Sequence, residues 1–321
     1  MVSSELILRF AMLSQLRREK LLQDNRHLFG ALLVSLAVAS ESVSEPLDRA
    51  DFDNGQATLR NGGQDCVSVK ANDYRLRLIQ TAVKEWARFG FHALDLSKPG
   101  RPDVLPPFDP PNLPTPNENG GPELMARIAG YWAVVPSGHY TISKQNSLWA
   151  LHPDEGWQQH WSAAFTSWLT CESGMDRTQF KRSGSHWNYV EYAKHAPNSA
   201  FRFETASQFI GNEGDLACLD RRDSTHPHGL HCFLIVRKTS QNAYLIGGNV
   251  PDWRQSPAPM YGGLALIAVG VDPSGFLRRI DLPGNESIVW FCGLALKENS
   301  HFEVDQFGLD ESITSRLDRF Q

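Results

Sequence analysis

The spacing of apolar residues changes near residue 214, and this change limits the folds that the chain can adopt. Between residues 74 and 89, apolar side chains recur every three or four positions, which predicts an amphipathic helix. Further helices are predicted over residues 123–132 and 161–172. Beyond residue 214 the apolar residues fall in short runs that are typical of antiparallel strands: 215–219, 232–236, 243–246, 263–270 and 288–295. Helices followed by strands predict an α+β fold.

Residues 1–39 have the features of a secretory signal peptide. The apolar run 28–39 is shorter than the ~20 residues that a membrane-spanning helix needs. Basic side chains precede it, and Ala37-Val38-Ala39 has the small-x-small pattern of a cleavage site. We therefore predict a periplasmic or secreted protein without a stable membrane span. A buried helix is the alternative interpretation of the run, and a cytoplasmic location is the alternative to export.

The remaining sequence divides into segments of different composition. Residues 40–69 are polar and without periodicity, which predicts a linker or a loosely held arm. Residues 70–300 contain the predicted helices and strands and form the predicted main domain. Within them, residues 99–122 hold nine of the 19 prolines, a density that predicts an extended surface loop. Residues 301–321 have apolar side chains spaced by four and predict a C-terminal helical tail.

Charge and cysteine content exclude several functions. The chain has 31 Lys+Arg and 36 Asp+Glu, a net charge of -5, which argues against a nucleic-acid partner. Because the chain has no Cys-x-x-Cys or His-x-x-x-His pair, we predict no metal site and no cofactor. The five cysteines are an odd number, so at least one thiol is unpaired within the monomer. Nothing in the sequence indicates an oligomeric state.

Three short segments contain the candidate site residues. The first, Trp161-Ser-Ala-Ala-Phe-Thr-Ser-Trp168, starts a predicted helix with small residues after Ser162. In the second, Gly214-Asp-Leu is followed one strand later by His231-Cys-Phe-Leu-Ile-Val236. The third is Ile246-Gly-Gly-Asn-Val250. Each segment is weakly diagnostic, whereas their order and spacing together are moderately specific.

Arg127-Ile-Ala-Gly-Tyr-Trp132 and Ser185-His-Trp-Asn-Tyr-Val190 extend this pattern, which covers residues 74–295. The set resembles a bacterial domain-of-unknown-function family, number 2272, which is similar to the CHAP amidohydrolases and NlpC-type cell-wall peptidases of the papain-like superfamily. The resemblance implies a papain-like fold, with N-terminal helices packed on a small antiparallel sheet. It also implies a nucleophile at a helix N-terminus, a base at the start of the second strand and an orienting residue on the third.

Carried over residue by residue, the resemblance implies that Ser162 is the nucleophile, His231 the general base and Asn249 the orienting residue. The better-known relatives have cysteine in place of Ser162. A cysteine beside histidine can rest as a thiolate, whereas a serine must lose its proton to the base during attack. Taken singly, the three residues have other interpretations: a helix N-cap, a strand-end histidine and a left-handed turn residue.

Trp161, His186 and Trp253 are the candidates for substrate contact. Trp253 follows Asn249 in a Pro-rich loop and is the best cleft candidate. Trp161 belongs to a group of tryptophans that would equally suit the core. His186 has two interpretations, a structural residue of the helix 187–194 or a substrate contact at the rim of the cleft.

Cys218 and Cys232 fall on consecutive predicted strands, so a cross-strand disulfide is geometrically possible if the register brings them opposite each other. Export would favour such a bond and a cytoplasmic location would not. The alternative is that Cys232 is itself reactive. Strand alternation argues against this, because the neighbouring His231 points to the opposite face. Cys292 is expected in the core.

These observations lead to three functional hypotheses. The first is a peptidoglycan amidase or endopeptidase, whose partner is peptidoglycan or a cell-wall peptide. The second is a catalytically inactive papain-like domain that binds cell-wall peptides or a partner protein, with Ser162 marking the lost nucleophile. The presence of His231 and Asn249 favours the first. The third hypothesis proposes the same site without a signal peptide that directs export. The protein would then be cytoplasmic, for example an effector delivered by a secretion machine.

Overall fold

The computed structural model describes residues 48–61, 66, 74–98, 103–104, 121–153, 156–220, 229–250, 262–281 and 287–297. The predicted signal peptide, the predicted C-terminal helix and Trp253 lie outside these residues, as does most of the proline-rich loop. No helix in the described ranges is both long enough and apolar enough to cross a bilayer.

Helices come before most of the strands, in agreement with the predicted α+β class. The helices are α1 (Tyr74–Arg88), α2 (Pro122–Ala133), α3 (Gly138–Leu151), α4 (Ser162–Glu172) and α5 (His186–His195). All of them except α3 were predicted from the sequence, with bounds that agree to within one or two residues. Gly90, two residues after the end of α1, adopts a positive φ of 82°. The first residue of α2 is Pro122, a position where the missing N–H costs no helical hydrogen bond.

The described strands are β1 (Ala50–Asp53), β2 (Gln56–Leu59), β3 (Ala93–Asp95), β4 (Asp103–Val104), β5 (Phe201–Thr205), β6 (Leu216–Asp220), β7 (Leu230–Lys238), β8 (Asn242–Val250), β9 (Gly263–Gly270), β10 (Ile280–Asp281), β11 (Ser287–Ile288) and β12 (Trp290–Leu296).

The main sheet has eight of these strands, in the order β4-β3-β9-β8-β7-β6-β12-β5. All neighbouring strands pair antiparallel except β3 and β9, which pair parallel. The sheet is therefore larger than predicted and mixed, because β3, which follows α1, pairs with β9.

The sheet separates two buried apolar clusters. Along β7, Cys232 belongs to the cluster that contains the helices, whereas its neighbour Phe233 belongs to the cluster on the opposite face. Phe209 and Ile280 help to cover this opposite face. A Cβ atom at Gly293 would lie 1.9 Å from the Phe209 ring, so only glycine permits this packing. The helix-facing cluster is the one next to the candidate site.

The hairpin β1–β2 lies inside the segment predicted to be a linker. Asn54 and Gly55 form its turn with φ values of 50° and 74°, as an Asn-Gly hairpin turn requires. Asn146 of α3 binds the outer edge of β2: its Oδ1 accepts from Ala57 N at 2.8 Å, and its Nδ2 donates to Ala57 O at 2.9 Å. Part of the segment predicted to be a linker or a loosely held arm therefore forms a hairpin, whose two short strands pack against helices.

A salt bridge and a disulfide connect the N-terminal part of the described chain to the end of α4. The Arg49 guanidinium pairs with the Glu172 carboxylate at 2.5 Å, and the two side chains are only 1% and 3% exposed. Cys66 forms a disulfide with Cys171, the residue before Glu172. A buried charge needs a partner, so Arg49 and Glu172 depend on each other.

Glu85 is a fully buried carboxylate on α1 with three partners. Arg127 donates to it at 2.5 and 2.9 Å, Tyr131 donates at 2.6 Å and Arg88 at 3.1 Å. Burial alone would lower the pKa of Arg127, but the charge and hydrogen bonds of Glu85 raise it above its ordinary value. Arg127 and Tyr131 of the sequence motif therefore stabilise the contact between α1 and α2.

Replacing this carboxylate tests its structural role. We expect Glu85→Gln to lower the free energy of unfolding by about 3–5 kcal/mol, because Arg127, whose side chain is only 11% exposed, loses its buried counter-charge. Urea denaturation measures the change. Asp51→Asn is the matched control, since Asp51 pairs with Arg60 at the surface, where the side chains are 58% and 46% exposed. Equal unfolding midpoints for Glu85→Gln and the wild type would contradict the prediction.

Candidate active site

Helix α4 begins at Ser162 and is buried along its whole length. The residue before it, Trp161, is 1% exposed, and its ring stacks on Tyr131 with 5.6 Å between ring centroids. A Cβ atom at Gly248 of β8 would lie 2.5 Å from the Trp161 ring, so glycine is needed there. The start of α4 is thus fixed against the sheet. This packing corrects the prediction that Trp161 contacts substrate, because the ring is part of the core.

The Ser162 hydroxyl hydrogen-bonds to the imidazole of His186, the first residue of α5. The distance between Ser162 Oγ and His186 Nε2 is 2.7 Å, and the two residues are 8% and 5% exposed. The loop before α5 is bound to α4, because Ser167 Oγ donates to Ser183 O and accepts from Ser183 N, both at 2.9 Å. His186 is therefore a buried partner of Ser162, and the prediction of a contact at the cleft rim is corrected.

The second ring nitrogen of His186 determines which tautomer is favoured. Its Nδ1 lies 3.3 Å from the backbone nitrogen of Cys232, whose N–H can only donate. Nδ1 therefore accepts, and the proton of the neutral imidazole lies on Nε2. In this tautomer Nε2–H donates to Ser162 Oγ, while the Tyr189 hydroxyl donates to Nδ1.

Tyr189 lies one helical turn after His186 on α5 and is 1% exposed. Burial raises the pKa of Tyr189 above its ordinary value, and a hydrogen bond with Thr166 offsets part of that rise. The phenol is therefore protonated at neutral pH. Thr166 Oγ1 also donates to Ser162 O at 3.2 Å. These contacts connect the Ser162 hydroxyl, through His186 and Tyr189, back to the first turn of α4.

His231 does not bind the Ser162 hydroxyl. Its ring stacks on Phe233, two residues along β7, with 4.5 Å between centroids, and on His186 with 5.2 Å between centroids. The expected contact between the nucleophile and His231 is corrected, because His186 occupies the hydrogen-bonding position next to Ser162. His231 is a buried neighbour of the imidazole that makes the contact.

Asn249 contacts a different histidine. Its Oδ1 accepts the N–H of Gly262 at 2.9 Å, which sets the orientation of the amide. Its Nδ2 then faces His160 Nδ1 at 3.3 Å and donates to it. Asn249 has a φ of 54°, the left-handed conformation. The prediction that Asn249 orients His231 is therefore corrected. The Asn249 amide donates a hydrogen bond to His160, an exposed residue two positions before Ser162.

Cys218 and Cys232 are joined by a disulfide across β6 and β7. They are directly opposed in the register, which is the arrangement that the sequence required for such a bond. In the described ranges, no group of three or more histidine, cysteine or acidic side chains is arranged to hold a metal ion.

Sequence reasoning missed Tyr189 and His160. The spacing of three residues between His186 and Tyr189 places both on one face of a helix, which is the pattern that relates them. His160 carries no such pattern, because its contact with Asn249 comes from a strand far away in the sequence.

Residues 119–257 match a family described as an uncharacterized protein conserved in bacteria (DUF2272). The resemblance to this family, inferred from the motifs, is therefore confirmed over residues 119–257. The segment contains Ser162, His186, His231 and Asn249, whereas Cys292 lies outside it. No curated protein and no solved structure matches the chain.

The tautomer of His186 is directly measurable. We expect nitrogen-15 NMR to show a protonated Nε2 and an unprotonated Nδ1 at a pH at which the imidazole is neutral. Tyr189→Phe should keep this tautomer, because the N–H of Cys232 still faces Nδ1. A proton on Nδ1 in the wild-type protein would contradict the hydrogen-bond assignment.

Proposed function

We propose that the protein is a serine-dependent amide hydrolase of papain-like type that acts on cell-wall peptides. The observation that carries the proposal is the 2.7 Å contact between Ser162 Oγ and His186 Nε2 at the N-terminus of α4. A histidine within hydrogen-bond reach is the usual means of activating a serine hydroxyl. His186 takes the role of general base that the motif order gave to His231.

The reaction requires a proton rearrangement at His186. To act as base, Nε2 must present a lone pair, so the proton of the neutral ring moves to Nδ1, where the Tyr189 oxygen accepts it. Nε2 then takes the Ser162 proton during attack on the amide carbonyl and gives it to the leaving amine. Water subsequently releases the acyl group from Ser162. Tyr189 thereby does the orienting work that Asn249 was expected to do.

The start of α4 supports stabilisation of the oxyanion. Trp161 is the N-cap residue of α4, and its side chain makes no hydrogen bond to the first turn of the helix. The side chain of the N-cap residue therefore does not compete for the backbone N–H groups of that turn. The positive end of the helix dipole lies at the same place. One well-aligned donor lowers the barrier of such a reaction by about 3 kcal/mol.

Cell-wall peptides are proposed as substrate because the motif order resembles that of the CHAP and NlpC-type enzymes. Two further observations support export to the periplasm or the medium. The disulfides Cys66–Cys171 and Cys218–Cys232 favour an oxidising compartment. The apolar run 28–39 ends in a cleavage pattern of signal peptides.

A second candidate function is a non-catalytic domain that binds cell-wall peptides. The observation that favours it is the N–H of Cys232 facing His186 Nδ1 at 3.3 Å. This donor favours the tautomer in which Nε2 already carries a proton and cannot take one from Ser162. The two functions differ in whether Nδ1 becomes protonated once substrate is bound.

Incubation of the full chain with purified peptidoglycan tests the proposal. We expect new amino termini, measured by dinitrophenylation, with Ser162→Ala and His186→Gln each lowering the release by about 100-fold or more. Ser143→Ala, on the exposed face of α3, is the matched control and should leave the release unchanged.

Other outcomes would exclude the proposal. Equal release by the wild type and Ser162→Ala would place the nucleophile elsewhere. Release by Ser162→Cys together with none by the wild type would identify an inactive site, and sedimentation of wild-type protein with peptidoglycan would then support the binding function.

A further inference from the structure

Three cysteines lie side by side across the sheet. Cys218 on β6 is directly opposite Cys232 on β7 and directly opposite Cys292 on β12. Directly opposed residues of antiparallel strands point to the same face, and all three side chains belong to the helix-facing cluster. Their exposed fractions are 0%, 1% and 0%. The disulfide Cys218–Cys232 therefore has the Cys292 thiol as its neighbour on the next strand.

Cys218 can reach either neighbour. Opposed residues of antiparallel strands have Cα atoms about 4.5 or 5.5 Å apart, and disulfides join Cα atoms about 4.4–6.8 Å apart. In the existing bond between Cys218 and Cys232 the Cα atoms are 4.0 Å apart. Cys232 and Cys292 are two strands apart, about 10 Å, which is beyond disulfide reach. Only the middle cysteine has two candidate partners.

We propose that these cysteines form a thiol–disulfide exchange ladder, in which Cys292 displaces Cys232 from its bond with Cys218. The Cys292 thiol loses its proton, and the thiolate attacks Cys218 Sγ. The bond between Cys218 and Cys232 breaks, its electron pair goes to Cys232 Sγ, and Cys232 takes up a proton. One disulfide and one thiol are present before and after, so the step needs no oxidant or reductant.

The two outer cysteines of the ladder, Cys232 and Cys292, interact with different residues of the candidate site. At one end, the N–H of Cys232 donates to His186 Nδ1. At the other end, Cys292 lies close enough to Tyr189 for its charged form to raise the pKa of the Tyr189 hydroxyl. The exchange moves the thiol from the Tyr189 end to the His186 end. It concerns only the cysteines and stands whether or not Ser162 is a nucleophile.

Single substitutions test which pairs can form. In Cys232→Ser we expect Cys218 and Cys292 to be joined by a disulfide. Cys218→Ser is the matched control: it removes the middle of the ladder, so Cys232 and Cys292 should both be thiols. Each variant is quenched in acid, alkylated with N-ethylmaleimide in denaturant and digested without reduction, and mass spectrometry identifies the linked and alkylated peptides. Thermal unfolding shows that the variants are folded, and Cys232→Ala replaces Cys232→Ser if the latter is not.

The wild-type protein tests the exchange itself. Folded protein is incubated without added thiol at about pH 8.5, where an ordinary cysteine is half ionised, and then quenched and mapped in the same way. We expect an alkylated Cys232 and a linked Cys218–Cys292 peptide to appear over minutes to hours. In Cys292→Ser only the Cys218–Cys232 and Cys66–Cys171 bonds should be found. Alkylation confined to Cys292 in the wild type, or two thiols in Cys232→Ser, would overturn the proposal.

Discussion

All eleven residues of α4 are buried, and the positions of its neighbours depend on this burial. A buried polar group without a hydrogen-bond partner costs about 1–3 kcal/mol, so each polar side chain of α4 must be matched. The Ser162 hydroxyl hydrogen-bonds to His186 of α5, and the Ser167 hydroxyl donates to the backbone of the loop before α5. The Glu172 carboxylate pairs with Arg49, which lies just before β1. Each partner comes from a different segment. The burial of one helix therefore determines where α5, its leading loop and the N-terminal hairpin pack.

The same packing explains the glycines of the third motif. A Cβ atom at Gly247 would lie 2.5 Å from the Phe233 ring on one face of the sheet, and one at Gly248 would lie 2.5 Å from Trp161 on the other. The two glycines thus clear space for aromatic rings on opposite faces of β8. The pairing of β8 with β9 shifts register between Gly247 and Val250, where Asn249 adopts the left-handed conformation. The packing of α4 on the sheet therefore explains the two glycines of the motif.

Sequence patterns predicted those parts of the fold in which burial follows a regular period. The apolar stripe of α1 and the apolar runs of β6 to β9 are such cases. The helix α3 was missed because polar Thr141 and Gln145 occupy buried positions and interrupt its stripe. At the site, the motifs identified Ser162 but not its partner. His186 and His231 are both buried and stack on each other, and only the arrangement of α5 against β7 determines which ring reaches the hydroxyl.

The serine at position 162 is consistent with the surroundings of His186. A cysteine that rests as a thiolate would be paired with an imidazolium, which carries hydrogens on both nitrogens. Here Nδ1 faces the N–H of Cys232, so a hydrogen on Nδ1 would oppose another hydrogen. A serine hydroxyl imposes no such conflict, because it can pair with a neutral imidazole that donates from Nε2. Any reaction at Ser162 must therefore displace that N–H from Nδ1. Since Cys232 is bonded to Cys218 on β6, the cross-strand disulfide restrains this displacement and links the sheet to the proton state of His186.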